Sequence, residues 1–185
     1  MKKLSLYVFL VLLFCGNTIA DSKDRDVKLN QLFEQLKKSD NVSIALEIEM
    51  KIWNIWSTHP TQKKLTQSLA KGSDLMSKGE LETAYKIFST IIDSAPDWAE
   101  GWNKRATVLY LMDRYQDSLN DIDEVLKLES RHFGALSGQG LVQTKLKNYE
   151  KAIESYQAVQ QIYPSIRAAK IMIPQLRKLI KENAI

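Results

Sequence analysis

The sequence contains little cysteine, glycine and proline, and each shortage excludes a class of structure. Cys15 is the single cysteine in 185 residues, so an internal disulfide framework and a cysteine-ligated metal site are excluded. Seven glycines and four prolines are too few for long coil linkers. The length suits one packed domain of ordinary size.

A concentrated run of basic residues is also missing. The formal net charge is +4, and acidic and basic residues alternate through the body of the chain. Nucleic-acid-binding proteins normally gather their basic residues on one stripe. We therefore expect no nucleic-acid partner.

The N-terminal segment has the pattern of a secretory signal peptide. Lys2 and Lys3 precede an apolar run from Leu4 to Phe14, and Thr18-Ile19-Ala20 supplies the small residues of a cleavage site. The apolar run is shorter than the ~20 residues of a membrane span. Residues 1–20 are therefore predicted to be a signal peptide, with an uncleaved N-terminal anchor as the alternative.

Cleavage after Ala20 would remove Cys15 with the signal. The mature chain would then have no thiol, and loss of the two leader lysines would lower its net charge from +4 to +2. A thiol-free chain is compatible with an oxidising compartment. We expect an exported protein, with the periplasm favoured and an inner-membrane anchor as the alternative.

Motifs that carry catalysis or bind metals are absent from the sequence. No HExxH, CxxC, P-loop, GxSxG or GxGxxG motif occurs, and neither His59 nor His132 has a ligand partner nearby in the sequence. An acidic cluster that includes Asp117, Asp121 and Asp123 lacks the spacing of an EF-hand and is interpreted as a solvated helix face. We therefore expect no catalytic residues, no metal and no cofactor.

Small and apolar residues recur in the body of the chain with a period of 34. Ala84, Ser118 and Ala152 are separated by this interval, and three further series keep it. These are Phe88, Ile122 and Tyr156; Ile91, Val125 and Val159; and Pro96, Ser130 and Pro164. Such a period is typical of a helix–turn–helix repeat, because each repeat needs its neighbours to bury its apolar face.

With this period, residues 65–98, 99–132 and 133–166 resemble three repeats of the tetratricopeptide (TPR) family. Trp102 and Ala106 match the aromatic and small-residue positions of that family. The resemblance implies an all-α fold, a right-handed superhelical solenoid of antiparallel helix pairs.

Some positions depart from the family pattern. Ser68 and Leu136 stand where the second repeat has its aromatic residue, and Asp113 and Lys147 replace the turn glycine that Gly79 supplies in the first repeat. These changes weaken the match of single repeats more than the match of the whole period.

The flanking segments are also predicted to be largely helical. Residues 21–26 are charged and expected to be disordered, whereas residues 27–59 suggest a helical hairpin with a cap at Ser39-Asp40-Asn41. This hairpin is similar to a degenerate fourth repeat, with Ala45 in the small-residue position. Residues 167–185 are expected to form a C-terminal capping helix, which a solenoid needs in order to stay soluble.

The resemblance also implies a binding surface. In TPR proteins the first helix of each repeat lines a concave groove in which peptides or helices dock. The positions that face this groove give ten candidate peptide-binding residues: Leu69, Ser73, Met76, Glu100, Asn103, Thr107, Tyr110, Ser137, Leu141 and Thr144. In the positions that form a carboxylate clamp in related modules, only Lys104 is basic, so recognition of an acidic chain terminus is not expected.

These observations lead to one main functional hypothesis and one alternative. The main hypothesis is a non-enzymatic module that binds a partner polypeptide in the concave groove, by contacts of the helix-in-groove kind. The alternative is a scaffold or assembly factor that self-associates through its solenoid ends without a peptide ligand. The sequence leaves open the partner, the pathway and the oligomeric state.

Overall fold

The computed structural model describes residues 24–183, and its regular elements in that range are all α-helices. The first helix, α1, covers residues 24–38. It is followed by α2 (Val42–Ser57), α3 (Lys63–Ser77), α4 (Leu81–Ser94), α5 (Ala99–Leu111), α6 (Tyr115–Leu128), α7 (Phe133–Lys145), α8 (Tyr149–Ile162) and α9 (Arg167–Asn183). The predicted all-α fold is confirmed. The predicted signal peptide, residues 1–20, lies outside the described residues.

The helices from α3 to α8 form three antiparallel pairs that stack into a solenoid. The second helix of each pair packs against the first helix of the next pair, α4 on α5 and α6 on α7, and α9 packs on α8. The helices α5, α7 and α9 begin at residues 99, 133 and 167, and α4, α6 and α8 begin at 81, 115 and 149. The 34-residue period of the sequence is therefore the period of the structure.

The periodic residues lie where neighbouring helices meet. The three residues of the first series, Ala84, Ser118 and Ala152, are at most 1% exposed. Small residues let the helices approach: a Cβ atom on Gly140 would lie 2.8 Å from the ring of Tyr156, and one on Gly72 would lie 2.6 Å from Phe88. Larger side chains at these glycines would push the paired helices apart.

The turn inside each repeat has the same backbone conformation. Gly79, Asp113 and Lys147 all have positive φ, at 80°, 58° and 61°. A left-handed residue that closes a helix is least costly as glycine. The second and third repeats therefore adopt the family turn in spite of the two substitutions.

The N-terminal hairpin, α1 and α2, does not stack on the first repeat. The face of α3 on which a preceding repeat would pack carries residues that are all exposed: Gln67, Ala70, Lys71, Asp74 and Lys78. The apolar side of the hairpin instead packs against Phe133, Leu136, Val159 and Tyr163 of the third repeat. The two helices of the predicted hairpin are present, but they pack on the third repeat. The sequence leaves open whether this hairpin is a true repeat, and in the structure it is not stacked on the first repeat of the solenoid.

Helix α1 begins earlier than expected. Residues 24–26 are helical, so the prediction of disorder for residues 21–26 is wrong for this part, and residues 21–23 lie outside the described range. The Arg25 guanidinium donates a hydrogen bond of 2.7 Å to the carbonyl of Thr58. Acidic residues such as Asp24 and Asp26 in the first turn also suit the positive end of the helix dipole.

The C-terminal helix α9 occupies the position of the first helix of a further repeat. Its buried residues Ala169, Ile173 and Leu176 pack with Ala152 and Tyr156 of α8. The helix continues through Pro174, which is exposed, so that water can satisfy the carbonyl that loses its helical partner. Within residues 24–183, no helix has the length and apolar character needed to cross a membrane.

Candidate functional site

A cleft opens between α5 and α7, the first helices of the second and third repeats. Its volume is about 180 Å³. Its floor and walls are mainly apolar side chains and small residues, among them Ala106, Ile122, Ala135, Gly138 and Val142. Since a water molecule takes up about 30 Å³ of liquid, this cleft has room for one large side chain of a ligand.

Five of the ten predicted groove residues line this cleft. They are Asn103, Thr107, Tyr110, Ser137 and Leu141. Leu141 is 42% exposed, and Tyr110 is half-buried beside Tyr115, with ring centroids 5.8 Å apart. The structure therefore brings the predicted residues of the second and third repeats together.

The other predicted residues lie outside the cleft. Ser73 and Met76 are on α3, and Thr144 is on the last turn of α7; all three are half-buried. Leu69 is 3% exposed and belongs to the core of the first repeat, and Glu100 is 1% exposed. The prediction that Leu69 and Glu100 present their side chains to a ligand is therefore wrong, because other parts of the chain cover both.

Four hydroxyl groups of the predicted groove bond to their own helices. Each donates a hydrogen bond to the carbonyl four residues earlier. The bonds are Ser73 to Leu69 (2.9 Å), Thr107 to Asn103 (2.9 Å), Ser137 to Phe133 (2.7 Å) and Thr144 to Gly140 (2.7 Å). These hydroxyl protons are therefore engaged in hydrogen bonds within the protein and are not available to a ligand.

Glu100 belongs to a buried polar group beside the cleft. Its carboxylate is 3.1 Å from Nε2 of His132 and accepts hydrogen bonds from the Asn103 side-chain amide at 3.2 Å. Lys104 lies 3.3 Å from the same carboxylate. Burial raises the pKa of Glu100, but the hydrogen bonds from His132 and Asn103 and the positive charge of Lys104 outweigh it, and the pKa lies below its usual 4.5.

The geometry fixes the protonation state of His132. Its Nδ1 accepts a hydrogen bond of 3.1 Å from the backbone amide of Ala135 and so caps α7. A backbone amide can only donate, so the ring proton is on Nε2, where it is donated to Glu100. The imidazole is thus neutral, and it stacks on Trp56 with ring centroids 4.0 Å apart.

Helix α2 covers this polar group and runs along the connections between the repeats. The indole N–H of Trp98 donates to the carbonyl of Trp56 at 2.8 Å. The Trp98 side chain is buried. Further along α2, the Tyr163 hydroxyl donates to Glu49 at 3.1 Å. Burial, with a smaller effect of Glu49, raises the pKa of Tyr163 to about 12, which keeps this donor protonated.

Trp53 is the residue of α2 that reaches the edge of the cleft. A Cβ atom on Gly134 would lie 2.5 Å from the Trp53 indole, and Gly134 is one of the residues that line the cleft. The ammonium group of Lys104 is 5.7 Å from the centre of the Trp53 ring. The indole therefore occupies the end of the groove where α5 and α7 begin.

Sequence reasoning missed both Trp53 and the Glu100–His132 pair. The pair joins residues that are 32 positions apart, and no local motif records such a contact. Gly134 offered a signal, because it occupies a groove position where the first two repeats have Thr66 and Glu100. A glycine there indicates close approach of another part of the chain.

The acidic residues of α6 do not form a metal site. Asp121 accepts two hydrogen bonds from Arg105, at 2.7 and 2.8 Å, and is only 4% exposed. The interpretation of this cluster as a solvated face is therefore wrong for Asp121. Among residues 24–183, no group of three or more acidic, histidine or cysteine side chains is arranged to hold a metal ion.

Comparison with known proteins supports the repeat assignment. No family model matches the chain. A TPR repeat-containing protein of Rhizobium etli is 34% identical over 160 residues, which are 84% of this chain and 76% of that protein. Mouse tetratricopeptide repeat protein 12 is 32% identical over 98 residues, which are 53% of this chain but 14% of the mouse protein.

Solved structures show the same fold. The first TPR domain of Spaghetti (RPAP3), bound to the HSP90 peptide SRMEEVD, superposes with a TM-score of 0.62 at 18% identity, covering 64% of this chain and 94% of that domain. The Yersinia enterocolitica type III secretion translocator chaperone SycD gives a TM-score of 0.61 at 13% identity, covering 68% of this chain and 99% of SycD. These likenesses show the fold, and the extended match to the Rhizobium protein establishes that the chain belongs to the tetratricopeptide repeat family.

Proposed function

We propose that this protein is a non-enzymatic interaction module that holds a segment of a partner polypeptide on its concave side. The observation that carries the proposal is the cleft of about 180 Å³ between α5 and α7. Burying one apolar side chain of a ligand there would contribute roughly 1.5–3 kcal/mol. The cleft is then the anchor point of the interface, since a few well-buried side chains supply most of the binding energy in such contacts.

The mode of binding differs from recognition of an acidic chain terminus. Lys104, the single basic residue in the clamp positions, is held by the Glu100 carboxylate at 3.3 Å and lies over Trp53. Its charge is therefore already partnered by a buried carboxylate, which a ligand carboxylate would have to compete with. We expect the protein not to bind the SRMEEVD peptide that the Spaghetti domain binds.

The absence of enzymatic activity is part of the proposal. His132 and Glu100, which form a histidine–carboxylate pair of the kind used in general acid–base catalysis, have completely buried side chains. A group that substrate cannot reach cannot transfer a proton to it. The role of this pair is to hold α2 against the start of α7.

The self-associating scaffold has less support. The outer face of α3 exposes Lys71, Asp74 and Lys78, and α9 carries five basic residues and one acidic residue. Stacking one copy on another end to end would bury these charges and bring basic residues together. Asp74 and Lys78 pair with each other at 2.7 Å, but burying charged groups is costly even when they are paired, so both ends favour termination of the solenoid.

Export to the bacterial envelope, with the periplasm favoured, is the second part of the proposal. It is supported by the basic, apolar and small-residue pattern of residues 1–20. Sequencing the N-terminus of the protein purified from its native cells tests it, and the chain should start at Asp21. A chain that keeps Lys2 and Lys3 would contradict cleavage and favour the anchored alternative.

The binding site is tested with a variant that fills the cleft. A Cβ atom on Gly138 would lie 3.7 Å from Ile122, an ordinary contact, so Gly138→Ala should fold normally and serves as the control. Gly138→Met should place its longer side chain in the space meant for the ligand. Random 18-residue peptides displayed on phage are selected on the purified protein. The affinity of the enriched peptides is then measured for the parent protein, for Gly138→Ala and for Gly138→Met.

We expect the selected peptides to bind Gly138→Met at least tenfold more weakly than the parent protein and to bind Gly138→Ala with unchanged affinity. Circular dichroism confirms that both variants keep their helices. Failure to enrich any peptide, or enrichment of peptides that bind Gly138→Met as well as the parent, would show that the cleft is not the binding site.

A further inference from the structure

Helix α2 has an apolar stripe that nothing in the described part of the chain covers. Val42, Leu46 and Met50 follow each other at four-residue intervals and are 58%, 50% and 64% exposed. With a rise of 1.5 Å per residue, the stripe is roughly 12 Å long. Single exposed apolar residues are common on protein surfaces, but an aligned set next to a cleft suggests an interaction surface.

The stripe borders the side of α2 that faces the groove, and Met50 also lines a separate cleft between α1 and α2. Val42, Leu46 and Met50 lie on the side of the helix that carries Trp53, because residues three, seven and eleven positions apart share a face. The Trp53 indole rests on Gly134 at the edge of the cleft. The opposite side of α2, with Ala45, Ile48 and Ile52, is buried in the hairpin core. The stripe is therefore a side wall beside the groove floor.

The groove offers few partners to the backbone of an extended peptide. The hydroxyls of Ser73, Thr107, Ser137 and Thr144 donate to their own helices, and the Asn103 amide donates to Glu100. These oxygens can still accept from a ligand N–H, but their protons are not available to a ligand C=O. The C=O groups of an extended ligand would therefore lose water without gaining a donor from these side chains, which costs free energy. A helical ligand satisfies its own backbone and avoids this cost.

The far end of the groove adds apolar area and positive charge. The repeat period carries the groove positions of Ser137 and Thr144 to Ile171 and Lys178 on α9, where Ile171 is 42% exposed. Helix α9 has five basic residues and one acidic residue, whereas residues 24–166 have 18 basic and 20 acidic residues. The positive charge of the described chain is thus concentrated on α9, where Lys178 holds the groove position and its ammonium group lies 3.6 Å from the Glu182 carboxylate.

From these four features we infer that the ligand is an amphipathic α-helix with acidic residues beside its apolar seam, and that α2 is one wall of its binding site. The inference rests on the proposed function and adds the conformation and charge of the partner segment. The apolar seam packs between the α2 stripe and the cleft, and its acidic flank faces the basic residues of α9. Such a helix matches the helix-in-groove mode, with anchors at three- and four-residue spacings.

The test uses the peptides selected on the purified protein. Their sequences should show apolar residues at helical spacing with Asp and Glu between them, and a synthetic peptide should gain helicity by circular dichroism on binding. The double variant Leu46→Glu, Met50→Glu should weaken binding at least tenfold. Leu128→Glu is the matched control, because Leu128 is similarly exposed at 43% but lies at the end of α6, and it should leave the affinity unchanged.

Two results would overturn the inference while leaving the proposed function intact. One is peptides that lose affinity for Gly138→Met but bind the Leu46→Glu, Met50→Glu variant as tightly as the parent protein. The other is binding that survives two proline substitutions inside the peptide, which would indicate an extended ligand. Selected peptides that are insensitive to Gly138→Met would instead overturn the proposed function itself.

Discussion

At the scale of single residues, the turn positions test the cost of a left-handed backbone. Lys147 has a φ of 61° and is exposed, and Gly79 has a φ of 80° in the equivalent turn. Replacing Lys147 by glycine removes the clash of its Cβ with the backbone, so Lys147→Gly should stabilise the protein by about 0.5–1 kcal/mol. Urea unfolding monitored by circular dichroism measures the change.

Gly79→Ala is the reverse experiment. A Cβ atom there would meet no other atom within 4 Å, so the change adds no steric contact and tests the backbone alone. We expect it to destabilise the protein by roughly 1 kcal/mol. Equal stability of both variants and the parent would mean that the turns relax freely and that the left-handed conformation carries no cost.

Glu100 links stability to pH at the same scale. Its pKa lies below 4.5 because of His132, Lys104 and Asn103, in spite of burial. A carboxyl with a lowered pKa in the folded state stabilises that state above its unfolded pKa, and this contribution is lost as the pH falls through the folded pKa. We therefore expect stability to decrease as the pH is lowered below about 4.5.

The variant Glu100→Gln separates this effect from the other carboxylates. Gln keeps the shape of Glu100 but has only one acceptor oxygen, so its NH2 group would face one of the donors that now bond to the second carboxylate oxygen. The loss at neutral pH should be roughly 1–3 kcal/mol. The difference in unfolding free energy between parent and variant should shrink as the pH falls from about 7 to about 3. A difference that stays constant over this range would contradict the assignment of a buried, ionised Glu100.

At the scale of elements, the contact between α2 and α7 depends on a glycine. A Cβ atom on Gly134 would lie 2.5 Å from the Trp53 indole. Gly134→Ala should therefore displace Trp53 and cost about 1–3 kcal/mol, the usual effect of overpacking. Trp53→Ala removes the obstacle, so the double variant should be more stable than the sum of the single changes predicts, with a coupling above 0.5 kcal/mol. If the changes in unfolding free energy of the two single variants simply add in the double variant, Trp53 does not pack against Gly134.

The elements also show how far the sequence could predict the fold. The three repeats were predictable because each helix pair packs on its neighbours in sequence, so the 34-residue period records the contacts directly. The position of the hairpin was not predictable, because α2 packs on the third repeat. There Trp53, which is far away in the sequence, packs with Phe133 and Tyr163. Such contacts occur once in the molecule and leave no periodic pattern.

The same distinction applies to the candidate site. Asn103, Thr107, Tyr110, Ser137 and Leu141 were found because their positions follow from the repeat register. Glu100 has an equivalent position in the register, but its carboxylate is surrounded by His132, Asn103 and Lys104, and its exposure is only 1%. The register therefore predicts which side of a helix faces the groove, and long-range packing decides which of those residues a ligand can reach.

At the scale of the whole molecule, the groove is a trough with an added wall. The solenoid supplies a floor from α5, α7 and α9, and α2 runs beside it along the connections between repeats. In this arrangement Leu141 is exposed in the trough and Leu46 and Met50 are exposed on α2. A partner helix can thus bury apolar area without exposing the cores of the repeats.

The most direct test of this account is to locate a bound peptide by crosslinking. A selected peptide carries a photoreactive phenylalanine derivative in its apolar seam, and the crosslinked residues of the protein are identified by mass spectrometry. The account predicts crosslinks to Tyr110 or Leu141 in the cleft and to Leu46 or Met50 on α2. Crosslinks confined to the outer helices α4, α6 and α8 would contradict it.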